Sequence, residues 1–269
     1  MSSNETPKRQ AGSYGQYLKV EELTRLQECL SEPVRHDELL FIVIHQVYEL
    51  WFKQMLHEAV TIRDLLGKGD VRPAGKLFRR LIEIQRVLIQ QIAVLETMTP
   101  VDFLEFRDHL NPASGLQSAQ FRELEFLSGL KDPALVRIHP EGGALRARLE
   151  ARLAEPSLVD AFDACLRRSG FDLSGAGDAL SAQRLSALER IYKDTARHYD
   201  LYLLCEAMIE YDEGFRLWRY RHVAMVERMI GFKQGTGGTE GVAYLLKTLS
   251  KKMFPELWQV RTLLGEGGA

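Results

Sequence analysis

Apolar side chains return every three or four residues along most of this 269-residue sequence, and no run alternates with the period of two that a half-buried strand shows. That periodicity confines the chain to helix-on-helix architectures. After a short segment at 14–30, Ser31 and Pro33 precede an apolar-rich stretch over 36–66, which closes at Gly67-Lys68-Gly69-Asp70. The next stretch, 73–98, opens at Pro73. It sets Leu77, Leu81, Ile84, Leu88, Ile92 and Leu95 on one stripe, with Arg, Gln and Glu opposite. Thr99 is placed to cap a further helix over about 100–110, with Pro100 at its first position and a break at Asn111-Pro112. Another helix is predicted near 117–128, and the longest helical pattern covers 187–231. Two short C-terminal helices, split by Pro255, follow the loop GFKQGTGGTEG. The expectation is an all-α fold: one domain of long antiparallel helices over 31–269, preceded by a separate N-terminal segment, 1–30. Within that domain 131–186 reads as a small helical insertion or cover, with a helix near 156–168 and a Gly/Ser/Ala-rich loop.

Charge and cysteine usage remove several classes of function. A formal net charge of −2 gives no electrostatic reason to expect nucleic acid or an acidic membrane as partner. No apolar run reaches the roughly 18 residues of a membrane span, and the polar N-terminus MSSNETPKRQAGS does not resemble a secretory signal. Cys29, Cys165 and Cys205 are an odd, scattered set, which fits a reducing cytoplasm better than a disulfide framework. The string C-x-x-C-H is absent, so any haem is held without covalent attachment.

Among the seven histidines two stand in unusual company. His45 ends the apolar run FIVIH and shares a helix face with Phe41, with Tyr48 and Phe52 continuing it. His222 lies on a face with Phe215, Trp218, Met225 and Met229. A lone imidazole on such a face is most often a core histidine, and the aromatic and thioether stripe is most often core packing. The alternative is a proximal haem ligand, because a neutral imidazole on an apolar helix face is how many b-type haems are held. Other metal chemistry fits less well. No Glu stands three residues before a histidine, and after His57-Glu58 position 61 is Thr, so neither a di-iron bundle nor a zinc metalloprotease helix is encoded. Arg107 follows Phe103 by four residues; it could sit in a surface ion pair near Glu105 or Asp108, or take a carboxylate bidentately. The loop GTGGTEG has no GK[ST] and puts Glu240 where a dinucleotide fingerprint needs glycine, yet it can bring backbone amides and the Thr236 hydroxyl close to a small ligand.

Several separated strings coincide with one family. YGQYL (14–18), FIVIHQVYELWFKQ (41–54), AVLETMTP (93–100), FLEFR (103–107), ASGLQSAQFRELEF (113–126), WRYRH (218–222), GFKQGTGGTEGVAYL (231–245) and FPELWQVR (254–261) occur in order. The chain resembles the haem-dependent tryptophan 2,3-dioxygenases over about 14–261, and the likeness thins over 131–186. The resemblance implies haem b, non-covalently bound, one per subunit and ferrous when active, with His222 as its axial ligand and Trp218 and Ser114 beside it. It implies that His45 meets the indole N–H of the substrate as the catalytic distal residue. The run Phe41, Ile42, Val43 and Ile44, together with Phe103, lines the substrate pocket; Arg107 holds the carboxylate and Thr236 the ammonium and carboxylate end. Family members carry Tyr or Phe at position 103 and some carry Trp at 92, so neither Phe103 nor Ile92 supplies an essential polar group.

The implied reaction takes L-tryptophan and O2 to N-formyl-L-kynurenine by opening the indole C2–C3 bond, the first step of tryptophan catabolism by the kynurenine route, in the cytoplasm. The implied assembly is a homotetramer, a dimer of dimers, in which Tyr14, Tyr17 and Leu18 are donated to a neighbouring subunit's pocket. The residues themselves add a motive: YGQYL has large side chains and a polar N-terminal flank, so it must dock on something. Three other readings stand beside this one: an indoleamine-type dioxygenase of broader substrate range, a haem-based gas sensor, and a haem-free helical scaffold. A sensor gives no role to Arg107 or Thr236.

Overall fold

The structure is a computed structural model that describes residues 12–236 and 241–265. Two short helices come first, α1 (Tyr14–Leu18) and α2 (Val20–Leu23), and neither buries a residue. α3 (His36–Lys68) and α4 (Val71–Leu95) then form a long hairpin. Its tight turn is made by Gly69, whose φ of 87° and ψ of 13° lie in the left-handed region that closes helices and that glycine enters without a Cβ clash. α5 (Pro100–Phe106) starts as the sequence predicts: the Thr99 side chain accepts from Asp102 N, and the Asp102 carboxylate accepts from Thr99 N. Its last turn tightens into a 3₁₀ turn, Arg107–Leu110, and a second such turn, Gly115–Gln117, leads into α6 (Ala119–Leu127).

The stretch 131–186 contains α7 (Ala144–Ala154), α8 (Leu158–Arg168) and the first half of α9 (Asp178–Lys193). α7 packs on α6 in a small cluster of its own around Phe126 and Leu149. α8 is not a cover. It packs on α3, and its Leu158, Ala161, Phe162, Cys165 and Leu166 belong to the main core with Ile62, Leu66, Phe78, Leu81 and Tyr211.

The helix predicted over 187–231 is broken: α9 ends at Lys193 and α10 (Tyr199–Ile230) begins after a short break. The Asp194 carboxylate accepts from Arg197 N at 3.2 Å, a local bond that competes with continued helix. Ion pairs fix the direction of α10. Arg72 meets Asp200 at 2.8 Å, Arg86 meets Glu210 at 2.7 Å, and Glu96 meets Arg221 at 2.9 Å. Both numbers rise together, so α4 and α10 run parallel and α3 runs antiparallel to both. α11 (Val242–Lys247) and α12 (Pro255–Leu263) complete the chain, and the buried Asp212 ties the start of α12 to α10. Its Oδ2 accepts from Met253 N (3.0 Å), Phe254 N (3.1 Å) and Trp258 Nε1 (2.9 Å).

No strand occurs among the described residues, and no single described helix is long and apolar enough to cross a membrane. Beyond the main core lies a second buried cluster of Ile44, Ile92, Leu95, Met98, Phe106, Met225 and Met229. It joins the first half of α3, the end of α4 and the last third of α10, and it backs the cavity described next.

Candidate active site

A cavity of about 330 Å³ opens where those three helices meet α5 and the loop before α11. Helical geometry selects what α3 contributes. At 3.6 residues per turn, Phe41, His45, Tyr48, Glu49 and Phe52 reach the cavity. Ile42, Val43 and Ile44 do not line it: Ile44 is buried in the cluster behind and Val43 is 39% exposed. Of the run 41–45 expected at the pocket, the two ends, Phe41 and His45, line this cavity, because one helix presents one face to it.

His45 Nδ1 lies 2.7 Å from the Phe41 carbonyl oxygen. A carbonyl only accepts, so Nδ1 carries the proton and Nε2 keeps a free lone pair in the cavity. His45 opens onto the cavity, yet the protein packed around it lowers its pKa, against the opposing pull of the Phe41 carbonyl and the Glu49 carboxylate. The imidazole thus stays neutral, and able to accept, below the ordinary histidine value of about 6.5. The sign of the expected pH effect follows. Acid charges Nε2 and removes the acceptor, so kcat/KM for an N–H substrate should be flat from neutral pH to below about 6.5 and fall only further down. An acid limb centred at or above that value, in a pH profile of the loaded protein, contradicts this assignment.

His222 sits late on α10, one turn after Trp218, and the two rings stack with centroids 5.2 Å apart and planes 3° from parallel. Neither ring nitrogen of His222 has a hydrogen bond among the described residues. Burial, and then the second imidazole His45, push its pKa down to about 4. A neutral, unengaged imidazole is what a metal ligand requires. No group of three or more His, Cys, Asp or Glu is placed to hold a metal ion among the described residues. A metal at His222 must bring its other donors with it, as the four pyrrole nitrogens of haem do. The apolar walls, with Ile92, Leu95, Met98 and Val223, suit such a macrocycle.

Arg107 opens the 3₁₀ turn after α5 and faces the same cavity from the rim. Glu105 pairs with Arg35 at 3.5 Å instead, and Arg107 forms no ion pair among the described residues. One guanidinium nitrogen donates to the Gln234 carbonyl, and the Thr236 hydroxyl donates to Ala113 O at 2.7 Å. These two tethers draw the glycine-rich loop against Ser114; residues 237–240 of its motif lie outside the described residues. Phe103 lines the cavity, its ring centroid 5.8 Å from that of Phe41, and Ser114 lines it at a turn it caps by accepting from Leu116 N. Tyr14, Tyr17 and Leu18 do not line their own chain's cavity; they are 78%, 75% and 44% exposed. Sequence reasoning missed a polar wall of Glu49, Arg122, Glu125 and Arg219. The signal was present for Glu49, which follows His45 by four residues, and for Arg219, which precedes His222 by three.

The sequence that builds this site matches known proteins. The family model described as tryptophan 2,3-dioxygenase aligns with residues 2–172 and 167–264. Curated tryptophan 2,3-dioxygenases from Nocardioides sp. and Herpetosiphon aurantiacus are 51% and 48% identical over 257 residues, covering 94% of this chain and 94% and 98% of theirs. The enzyme of that name from Caulobacter vibrioides is 44% identical over 260 residues, covering 94% of this chain and 98% of its own. With an all-α fold, two neutral imidazoles in one cavity and a match of that extent, the chain belongs to the tryptophan 2,3-dioxygenase family.

Proposed function

We propose that this chain is a haem-dependent dioxygenase that opens the indole C2–C3 bond of L-tryptophan with O2 to give N-formyl-L-kynurenine. One observation carries the reading: an apolar cavity holds a free acceptor at His45 Nε2, an unengaged imidazole at His222 and, at its rim, an Arg107 with no acidic partner among the described residues. Tryptophan supplies the complement, an apolar bicycle with one N–H and a carboxylate. His45 accepts the indole N–H, Phe41 and Phe103 wall the ring, and Arg107 and Thr236 take the amino-acid end. His222 holds haem b, one per chain, with Ser114 and Trp218 beside it. When bound, the haem supplies the ferrous iron that activates dioxygen. The protein's part is orientation and exclusion of water.

The deciding experiment reduces the purified protein, adds L-tryptophan and ¹⁸O2, and follows the absorption spectrum and the product mass. Two labelled oxygen atoms in N-formyl-L-kynurenine are expected. A spectral response to ligand without product identifies a sensor, and the absence of any haem band a scaffold.

The exposed α1 supports the second part of the proposal, a cytoplasmic homotetramer built as two dimers in which Tyr14, Tyr17 and Leu18 close the partner's pocket. Deleting residues 1–18 should leave haem binding intact and raise the KM for tryptophan. Co-assembly of that truncation with full-length Arg107→Leu gives the sharper measurement. A mixed dimer contains one pocket with Arg107 intact and a donated N-terminus, and activity absent from both parents should return. Verified mixed dimers that stay inactive would show that each segment serves its own chain.

A further inference from the structure

The polar wall of the cavity carries a charge that the residues assigned above leave unused. Arg122, on α6, is 8% exposed, and its guanidinium lies 4.9 Å from the Phe121 ring centroid. Its Nη1 donates to Glu125. Glu125 does not depend on that bond, because Arg219 Nη2 donates to its other oxygen at 3.0 Å. Two buried guanidinia therefore share one carboxylate, and all three side chains line the cavity. The other acid on this wall, Glu49, is engaged by the Ser118 hydroxyl at 2.5 Å and by Gln120 Nε2 at 2.7 Å. Neither guanidinium is paired with Glu49, and Arg122 is left with one edge unpaired in a buried place, which is unfavourable until an acceptor arrives. The geometry of that edge is specific. Nε and Nη2 form one edge of the planar guanidinium; Nε is fully buried, and neither atom has an acceptor among the described residues. That edge is the one that binds a carboxylate through two parallel hydrogen bonds.

We infer that Arg122 is a second anion subsite of this cavity and takes a carboxylate of the haem macrocycle. The inference rests on the haem reading given above. The amino-acid carboxylate has its own cation at the rim, Arg107, whereas haem b carries two carboxylates for which nothing above supplies a cation. Arg219, which braces Glu125, stands one helical turn before His222, so a macrocycle held by His222 would have the Arg219–Glu125–Arg122 chain within the same cavity.

The test uses apo-protein titrated with haem and with haem dimethyl ester, followed by the Soret band. The native protein should bind the diacid roughly 10- to 100-fold more tightly than the diester, the range of a charge-assisted pair. In Arg122→Met, which leaves Glu125 paired with Arg219, that ratio should fall to about 1 with diester affinity unchanged. A native ratio near 1, or an unaltered ratio in the variant, overturns the inference and leaves the haem reading standing. Failure of the native protein to bind either macrocycle overturns the haem reading itself. If Arg122→Met does not fold, Arg122→Gln carries the same test, and an unaltered diacid-to-diester ratio in it overturns the inference. L-Tryptophan affinity of the loaded variant identifies the carboxylate's source: it should be unchanged, and its loss with diacid preference retained would place the amino acid at Arg122 and refute the assignment.

Discussion

In His222→Ala the Soret band of the purified protein should be nearly lost while the far-ultraviolet circular dichroism stays that of the native chain. The asymmetry between those two readouts follows from what His222 touches. Its ring stacks on Trp218 and makes no hydrogen bond among the described residues, so α10 loses little by its removal. The same ring is the one imidazole on the His222–Met225–Met229 side of the cavity, and no other grouped set of metal donors is present among the described residues. Adding free imidazole should restore part of the band, because the cavity left by the side chain can admit the lost ligand. An unaltered five-coordinate spectrum in the variant would transfer the ligand role to His45, the other imidazole of the cavity.

Arg107→Leu should lower kcat/KM for L-tryptophan by about 30- to 5,000-fold, the equivalent of roughly 2–5 kcal/mol for truncating one member of a desolvated charge pair. Arg107→Lys should fall almost as far. Lysine keeps the charge but not the planar fork, and it loses the guanidinium bond to the Gln234 carbonyl that holds the glycine-rich loop in place. Tryptamine, which lacks the carboxylate, should be a very poor substrate of the native protein. Efficient tryptamine turnover by the native protein would remove the role assigned to Arg107.

The parts of the fold legible beforehand are those decided by neighbours in sequence. The Thr99-Pro100-Asp102 start of α5 and the Gly69 stop of α3 depend on groups within a few residues of the backbone atoms they satisfy. The break at 194–198 is equally local but hidden, because Asp194 also fits a continuing polar face and only its bond to Arg197 N shows which option it takes. The place of α8 in the core cannot be read from its stripe, since an amphipathic helix reports that one face is buried and not what buries it.

The same division holds in the site. Sequence periodicity is enough to put Phe41 with His45, and Trp218 with His222, because residues three or four apart on a helix must share a face. It is also enough to set aside the zinc and di-iron readings, which need spacings this chain lacks. Tertiary structure decides the rest. The parallel course of α4 and α10 places Ile92 beside Met225 and Met229. Glu105 meets Arg35, and Arg107 is left without an acid among the described residues. Glu125 is shared between Arg122, its neighbour on α6, and Arg219, far along the chain on α10, and only that sharing creates the unpaired edge. The physical reason is that a helix face is set by covalent geometry over a few residues, whereas the partner of a charge is whichever group folding brings within about 3 Å, and that group can lie anywhere in the chain.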